Sequence, residues 1–417
     1  MKKTILTLAF ILLYIGVNLA GGYQNFLNSA KNTAKGNTGI AFSNSVDAIA
    51  YNIGALAFGG FDKFSLSLGL SANLNFNTYN DYKSDYTGSS KTFPNTPFYI
   101  YAAKRFSKLF TLGIGVYSPY SYSVHWDADW KINSMVQDFS FKTYFIQPTA
   151  SFNISDILGI GVGVIYGIGK LNYNHAIYGS FGDVEYGKSS LEGTSASLSN
   201  IGANAGLLLK ISKKLNLGIT YQYGFNMKFK DGDVKNTTAS SLVDSFPNTK
   251  FNTEIPIPSY LGIGISYVFS EKLMLELDGR YNFWSVNDSF NISFEKKTGL
   301  QPDAKYYNDY QNTFSIHLGG SYMFGQKFTL LFGAFYDLSP IKKTNITPIL
   351  PETDQIGASI GFAYKASSDL SIDFGIQYIM NLEVDGKSNY VNYETSYLEG
   401  TYSGSKILVS LGLSHKF

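Results

Sequence analysis

The stretch TYSGSKILVSLGLSHKF, residues 401–417, decides how the rest of the chain is read. From Lys406 its side chains alternate. Ile407, Val409, Leu411, Leu413 and Phe417 fall on one face, and Lys406, Ser410, Gly412, Ser414 and Lys416 fall on the other. His415 is the one polar residue on the apolar face. Period-2 alternation marks a strand whose two faces meet different surroundings. About ten residues of it, ending on an aromatic, fit a strand with lipid on one side and a polar lumen on the other. A strand of a soluble sandwich alternates in the same way, so this stretch alone leaves both architectures open.

Recurrence along the chain separates them. From Lys63, the residues Phe64, Leu66, Leu68, Leu70, Ala72, Leu74 and Phe76 share one face, with Ser, Gly and Asn on the other. Similar segments follow near 98–106, 110–119, 139–153, 159–172, 197–211, 215–229, 252–269, 272–285, 310–324, 327–338, 355–365, 370–382 and 397–417. That makes about fourteen, and single-chain bacterial barrels have even strand numbers. The connections alternate as well. Short ones lie near 107–109, 154–158, 212–214, 270–271, 325–326 and 366–369, with long polar ones between them. Short periplasmic turns opposite long extracellular loops are a feature of outer-membrane barrels, and a sandwich has no reason to show them. The expected fold is all-β, a transmembrane antiparallel β-barrel of about fourteen strands over residues 61–417. Both termini are expected in the periplasm of an outer membrane.

Composition agrees. Charged residues are 15% and aromatics 16%, with 41 Gly, as suits a wall bordered by lipid. Mean hydropathy of −0.05 excludes a bundle of membrane helices. Lys+Arg and Asp+Glu nearly balance at +2, so no nucleic-acid partner is expected. With no cysteine, disulfides, thiol chemistry and Cys metal sites are excluded. Lys2 and Lys3 precede a short apolar run, which reads as a signal peptide over residues 1–20, cleaved after Ala20. Residues 21–60 are different: rich in Asn, Ser, Ala and Gly, with Tyr23, Phe26, Phe42 and Tyr51 scattered among them. Composition leaves both a flexible tail and a compact plug open. The aromatic end at Phe417 is the expected handle for the barrel-assembly machinery, and the protein is expected to be a monomer.

The inward face carries recurring glycines, among them Gly113, Gly115, Gly159, Gly161 and Gly163. Glu276, Asp278 and Arg280 face inward together at two-residue steps, which suggests a lumenal ionic network gripping whatever fills the barrel. The four histidines are isolated, in no arrangement that suggests a triad or a metal pair, so no enzyme, cofactor or metal is expected. Asp127 and Asp129 sit between Trp126 and Trp130 in an aromatic, acidic extracellular loop.

Several stretches resemble the FadL family, outer-membrane transporters of long-chain fatty acids and aromatic hydrocarbons. Phe335-Tyr336-Asp337-Leu338-Ser339-Pro340 with Leu350-Pro351-Glu352-Thr353-Asp354 is similar to the family's YDxSP…PDxD element. Ile257-Pro258 through Trp284-Ser285 resembles a family strand pair, Gly21-Gly22-Tyr23-Gln24 the mature start, and Tyr117-Ser118-Pro119-Tyr120 the third strand. The resemblance implies that residues 21–60, with Tyr23, Phe26, Phe42, Tyr51 and Asn52, form a hatch inside the barrel. It implies capture of a hydrophobic ligand at extracellular loops, including the Trp126 and Trp130 loop. Release would be sideways into the bilayer, where the third strand kinks at Gly113, Gly115, Ser118 and Pro119. The chain departs from the family in two places. Asn52 is followed by Ile53-Gly54-Ala55 instead of Pro-Ala, and Gln311-Asn312 replaces a Lys-Asp pair. Gln311 is thus the head-group candidate, with Lys305, Arg105 or Lys142 as substitutes for the missing cation. A general diffusion porin and a surface adhesin or structural barrel are the alternatives.

Overall fold

The computed structural model describes residues 22–24, 28–42, 45–178, 185–389 and 397–417. The expected signal peptide and Phe26 lie outside the described residues. Fourteen strands run around the wall: β1 (Phe64–Asp81), β2 (Phe98–Arg105), β3 (Phe110–Tyr117, then Ser121–His125), β4 (Asp138–Ile154) and β5 (Leu158–Tyr178). They continue as β6 (Glu185–Ser195, then Ile201–Lys210), β7 (Leu215–Tyr223, then Phe225–Thr238) and β8 (Thr249–Ile257, then Tyr260–Val268). Next come β9 (Leu273–Asn282, then Ser289–Phe294) and β10 (Ala304–Tyr307, then Thr313–Phe324). The last are β11 (Phe328–Asp337), β12 (Gln355–Lys365), β13 (Leu370–Asn389) and β14 (Tyr397–Lys416).

Each strand pairs antiparallel with its neighbours, and β1 pairs with β14 from Ser65↔Lys416 to Asp81↔Gly400, which closes the barrel. Closure follows from the solvent. In hydrocarbon an unpaired backbone N–H or C=O costs several kcal/mol, so a sheet can cross only if it has no edge. The alternation read from the sequence has the expected direction. Leu70, Leu277 and Leu411 are exposed on the outer surface, while Ser67, Ser266, Glu276 and Ser410 are buried inside. An outer apolar band such as Ile263 and Ile265 on β8 is bordered above by Tyr281, which pairs with Leu261, and by Tyr223, all of them exposed.

The structure corrects the strand ends. β5, β6, β7 and β8 continue well into stretches read as polar loops, pairing as Tyr173↔Leu191, Val234↔Leu191 and Val234↔Thr249. Above the bilayer a strand needs no lipid face, so the ladder persists after its apolar period has ended. Short turns lie at the end where Phe417 N–H donates to Phe64 O at 2.8 Å.

Candidate functional site

The described residues before β1, up to Gly59, lie inside the wall. They form three one-turn helices, α1 (Ala30–Ala34), α2 (Ala48–Tyr51) and α3 (Ile53–Leu56), nearly all buried. Helices this short are not stable on propensity and depend on what surrounds them. Here the surroundings are the inward residues of β9. Glu276 Oε1 accepts from the N–H groups of Ala41 and Phe42, both at 2.9 Å, and Lys35 Nζ reaches Glu276 Oε2 at 3.3 Å. Asp278 Oδ2 accepts from Gly39 at 2.8 Å and Ile40 at 3.1 Å. Arg280 donates to Asn37 O at 2.8 Å and lies beside the Tyr51 ring. Buried charges are tolerable only when they are paired or hydrogen-bonded: Glu276 is paired with Lys35 and accepts from two N–H groups, and Asp278 accepts from two.

Glycines supply the other half of the fit. A Cβ on Gly218 would lie 2.0 Å from Ile40 O, and one on Gly333 2.3 Å from Gly36 N. Backbone meets backbone at these points, so no side chain can stand there. Where the family commonly has Pro-Ala, Asn52 takes over the turn. Its Oδ1 accepts from Gly54 N–H at 3.0 Å, and its Nδ2 donates to Ile40 O and Leu207 O. Arg105 ties down the segment's end by donating to Ala57 O and Gly59 O, and is not near a ligand pocket.

Above this segment, toward the long loops, is a cavity of about 300 Å³. Its walls are mostly apolar: Phe139 and Phe141 from β4, Ile255 from β8, Phe290 from β9, Tyr310, and Ile349 and Leu350 from the loop before β12. Tyr23 lines it too, its ring edge-on to Phe141 and Trp284 at 5.3 and 4.8 Å. Burial pushes the Tyr23 and Tyr310 phenols up, so both stay protonated donors. Among the described lining residues Lys305 is the cation, held over the Tyr307 ring at 4.6 Å, and Glu254 is the carboxylate.

Several residues singled out in the sequence are placed differently. Gln311 does not line this cavity; its N–H donates to Pro340 O at 3.0 Å. Lys142 has the outward parity of β4, since Phe141 and Thr143 point in. Trp126 and Trp130 are stacked at 4.4 Å and buried, with indole N–H groups donating to Pro348 O and Val136 O. They form the core of the loops and do not line the cavity.

The third strand does break, at 118–120. Three residues there face only two on β4, between Tyr117↔Phe145 and Ser121↔Lys142. Ser118 Oγ donates to Thr143 O at 2.7 Å and Tyr120 N–H to Thr143 Oγ1 at 3.1 Å, which closes part of the bulge with side chains. Gly113 and Gly115 take no part in it. Both lie in continuous ladder, and their missing Cβ atoms make room for Ile49. Tyr23 O accepts from Ser121 N–H at 3.2 Å, and Gln24 forms a bridge with Tyr120, so the segment before β1 touches the break directly. The sequence reading missed Ile255, Pro256, Asn287, Tyr306 and Tyr310 as lining residues. The alternating prolines at 256 and 258 were the available signal.

A closed fourteen-strand barrel with an apolar outer band is an outer-membrane protein in its architecture. The chain belongs to the family described as outer membrane protein transport protein (OMPP1/FadL/TodX), which it matches over residues 11–417. It is 25% identical over 226 residues to outer membrane protein P1 of Haemophilus influenzae, 52% of this chain and 47% of that protein. It is 27% identical over 266 residues to a long-chain fatty acid transport protein of Escherichia coli O6:H1, 56% of this chain and 57% of the other. The chain thus spans about half the length of the curated relatives it matches. The fold is that of a Pseudomonas aeruginosa FadL homologue, with TM-score 0.80 and 18% identity over 96% of this chain and 100% of the other. The P. putida toluene transporter TodX shares it, with TM-score 0.72 and 17% identity over 93% and 98%.

Proposed function

We propose that this protein takes up hydrophobic compounds across the outer membrane, binding them in the loop-end cavity above an N-terminal hatch. The observation that carries this reading is the cavity itself, aromatic and aliphatic on most of its walls, with Lys305 and Glu254 as the charged residues of its described lining and Tyr23 among its residues. Its 300 Å³ is at the small end of ligand sites, which favours a compact aromatic hydrocarbon or part of an acyl chain. A neutral ligand needs no counter-charge there. A carboxylate, expensive to bury alone, has Lys305 to meet it. The fatty-acid and toluene transporters among the relatives and fold neighbours support this class of cargo.

Release in this reading follows a shift of the hatch, the residues within 21–60, which frees the β3 bulge at 118–120 for lateral exit into the bilayer. An apolar molecule gains far more from entering hydrocarbon than from crossing a wet channel. Both termini are assigned to the periplasm, on the side of the short turns. The protein is read as a non-enzymatic monomer whose C-terminal strand engages the assembly machinery.

Displacement of a fluorescent apolar probe from purified protein tests the reading. An alkylbenzene is expected to compete, and Ile349→Glu, which puts a charge into the cavity, to weaken it by about tenfold or more. Lys305→Gln is expected to weaken oleate selectively and leave the alkylbenzene unchanged. Alkylbenzene binding indifferent to Ile349→Glu would overturn the assignment of the cavity.

A further inference from the structure

The wall has a second break, between β8 and β9. Their ladder runs up to Tyr260↔Asn282, with one more bond from Phe283 N–H to Ser259 O, and resumes only at Thr253↔Ile292. Between these points β8 keeps its pairing with β7, from Phe225↔Ile257 to Lys228↔Glu254. In an antiparallel ladder alternate N–H groups face opposite neighbours. Glu295 N–H donates to Lys250 O, so the even residues of this half of β8 face β9, and the donor absent at Pro256 is one of theirs. On the other side of the break β9 leaves the wall in a 3₁₀ turn, Trp284–Val286, with Trp284 and Asn287 turned inward and buried.

A cavity lies on each side of this break. On the outer surface is a polar one of about 410 Å³, lined by Lys228, Glu254, Val286, Asp288, Ser289 and Asn291 among others. On the inner side is the apolar ligand cavity. Glu254 and Pro256 line both, so only a thin partition separates them. Tyr23 spans that partition from within. Its hydroxyl donates to Pro256 O on β8 and accepts from Asn287 Nδ2 at 3.5 Å on β9. The break's height also matters. Tyr223 and Tyr281, exposed on the outer surface, sit directly below it, and interfacial aromatics of this kind mark the headgroup level.

We propose that the β8–β9 break is a lateral entrance. Apolar molecules already partitioned at the membrane surface reach the ligand cavity through it, and the Tyr23 side chain latches it. It is distinct from the bulge of β3, on the other side of the same tyrosine. The inference rests on the cavity being the ligand site, and the test keeps the two claims apart.

The protein has no cysteine, so Phe290→Cys places a single thiol on the inner cavity wall. Reconstituted in vesicles, it is reacted with a maleimide that partitions into the bilayer. Val286→Trp, added on the exposed outer lip, is expected to slow labelling by about one decade, and Tyr23→Phe, which removes the latch hydroxyl but keeps the ring, to speed it. Asp288→Trp serves as a second block at the same lip. Labelling that ignores both tryptophans would overturn the entrance. Labelling that responds to them in a protein that binds no alkylbenzene would instead count against the cavity's function and leave the entrance standing.

Discussion

Two seams of this barrel are built in opposite ways. β1 and β14, at opposite ends of the sequence, are paired without interruption from Ser65↔Lys416 to Asp81↔Gly400. β8 and β9, joined by a short turn, part at 254–258. Nearness in sequence does not decide where the wall is continuous. What decides it is whether a stretch of backbone lies in hydrocarbon and whether its donors exist. The β1–β14 seam crosses the whole apolar band and keeps every pair. The β8–β9 seam keeps its pairs through the band and loses them just above it, where water can serve the freed groups and Pro256 has no donor to offer β9.

The largest expected effect concerns what both seams enclose. Removing residues 28–52 takes away the partners of Glu276, Asp278 and Arg280 and empties the glycine hollows. Planar-bilayer recordings should then change from nearly silent to steadily conducting. An unchanged trace would mean that the barrel is blocked elsewhere.

Next comes the pin on the continuous seam. Lys406 on β14 is buried against Glu352, at 2.7 and 2.9 Å, which holds the loop before β12 over the lumen. Glu352→Ala leaves a buried ammonium unpaired and is expected to cost about 3–5 kcal/mol in urea titrations. Adding Lys406→Met should recover much of that. A double variant no better than the single would show that the loop is held by packing alone.

The third prediction compares two heights on one strand. Leu277 faces lipid within the band of β9, so Leu277→Arg should destabilise by about 2–4 kcal/mol. Asp288 stands above the band beside the break, and Asp288→Arg should stay within about 0.5 kcal/mol. Equal penalties would place the membrane boundary higher than the tyrosines indicate.

The smallest effect lies in the extension of β3 and β4 at the long-loop end of the barrel. There His125 Nδ1 contacts Asp138 Oδ1 at 2.6 Å, and this bond holds the half-exposed Asp138 carboxyl below its ordinary range. A carboxyl with a depressed folded pKa contributes stability above its unfolded pKa and loses it as pH falls through the folded value. The contribution is expected to be about 0.2–1 kcal/mol, reduced by solvent screening. Protease nicking of this loop should rise on acidification in the wild type, and Asp138→Asn should be nicked similarly at both ends of the range.

The wall was legible in the sequence because lipid on one side and a filled lumen on the other force a strict period of two. Leu275, Leu277, Glu276 and Asp278 could be assigned to faces from their numbers alone. The candidate site was legible only in part. Lys305 was noticed within a stretch read as a loop, where no period says which way a residue points, and the structure places it in the short strand segment Ala304–Tyr307. Gln311 was singled out by comparison with a family pattern, yet its backbone is tied to Pro340 and it does not line the cavity. Trp126 and Trp130 were expected to capture ligand because the family resemblance implies capture at their loop. Their indole N–H groups needed partners, and the partners they found bury them. The stretch 252–269 read as one strand, and Pro256 and Pro258 were the residues that marked its break. What it opens onto depends on Tyr23, over two hundred residues earlier in the chain, and no local pattern carries that.

The continuous β1–β14 ladder also bears on the order in which the molecule is assembled. The residues before β1 are seated against glycines on β7 and β11, with backbone so close to backbone that a single methyl would not fit. Such turns are best seated while neighbouring strands can still part. The final pairing joins the two strands farthest apart in the chain, the contact with the highest loop-closure cost and therefore a late one. The physical expectation is a chain whose early residues wait within an unfinished cylinder, with the sheet wrapping around them until residues 401–417 meet β1.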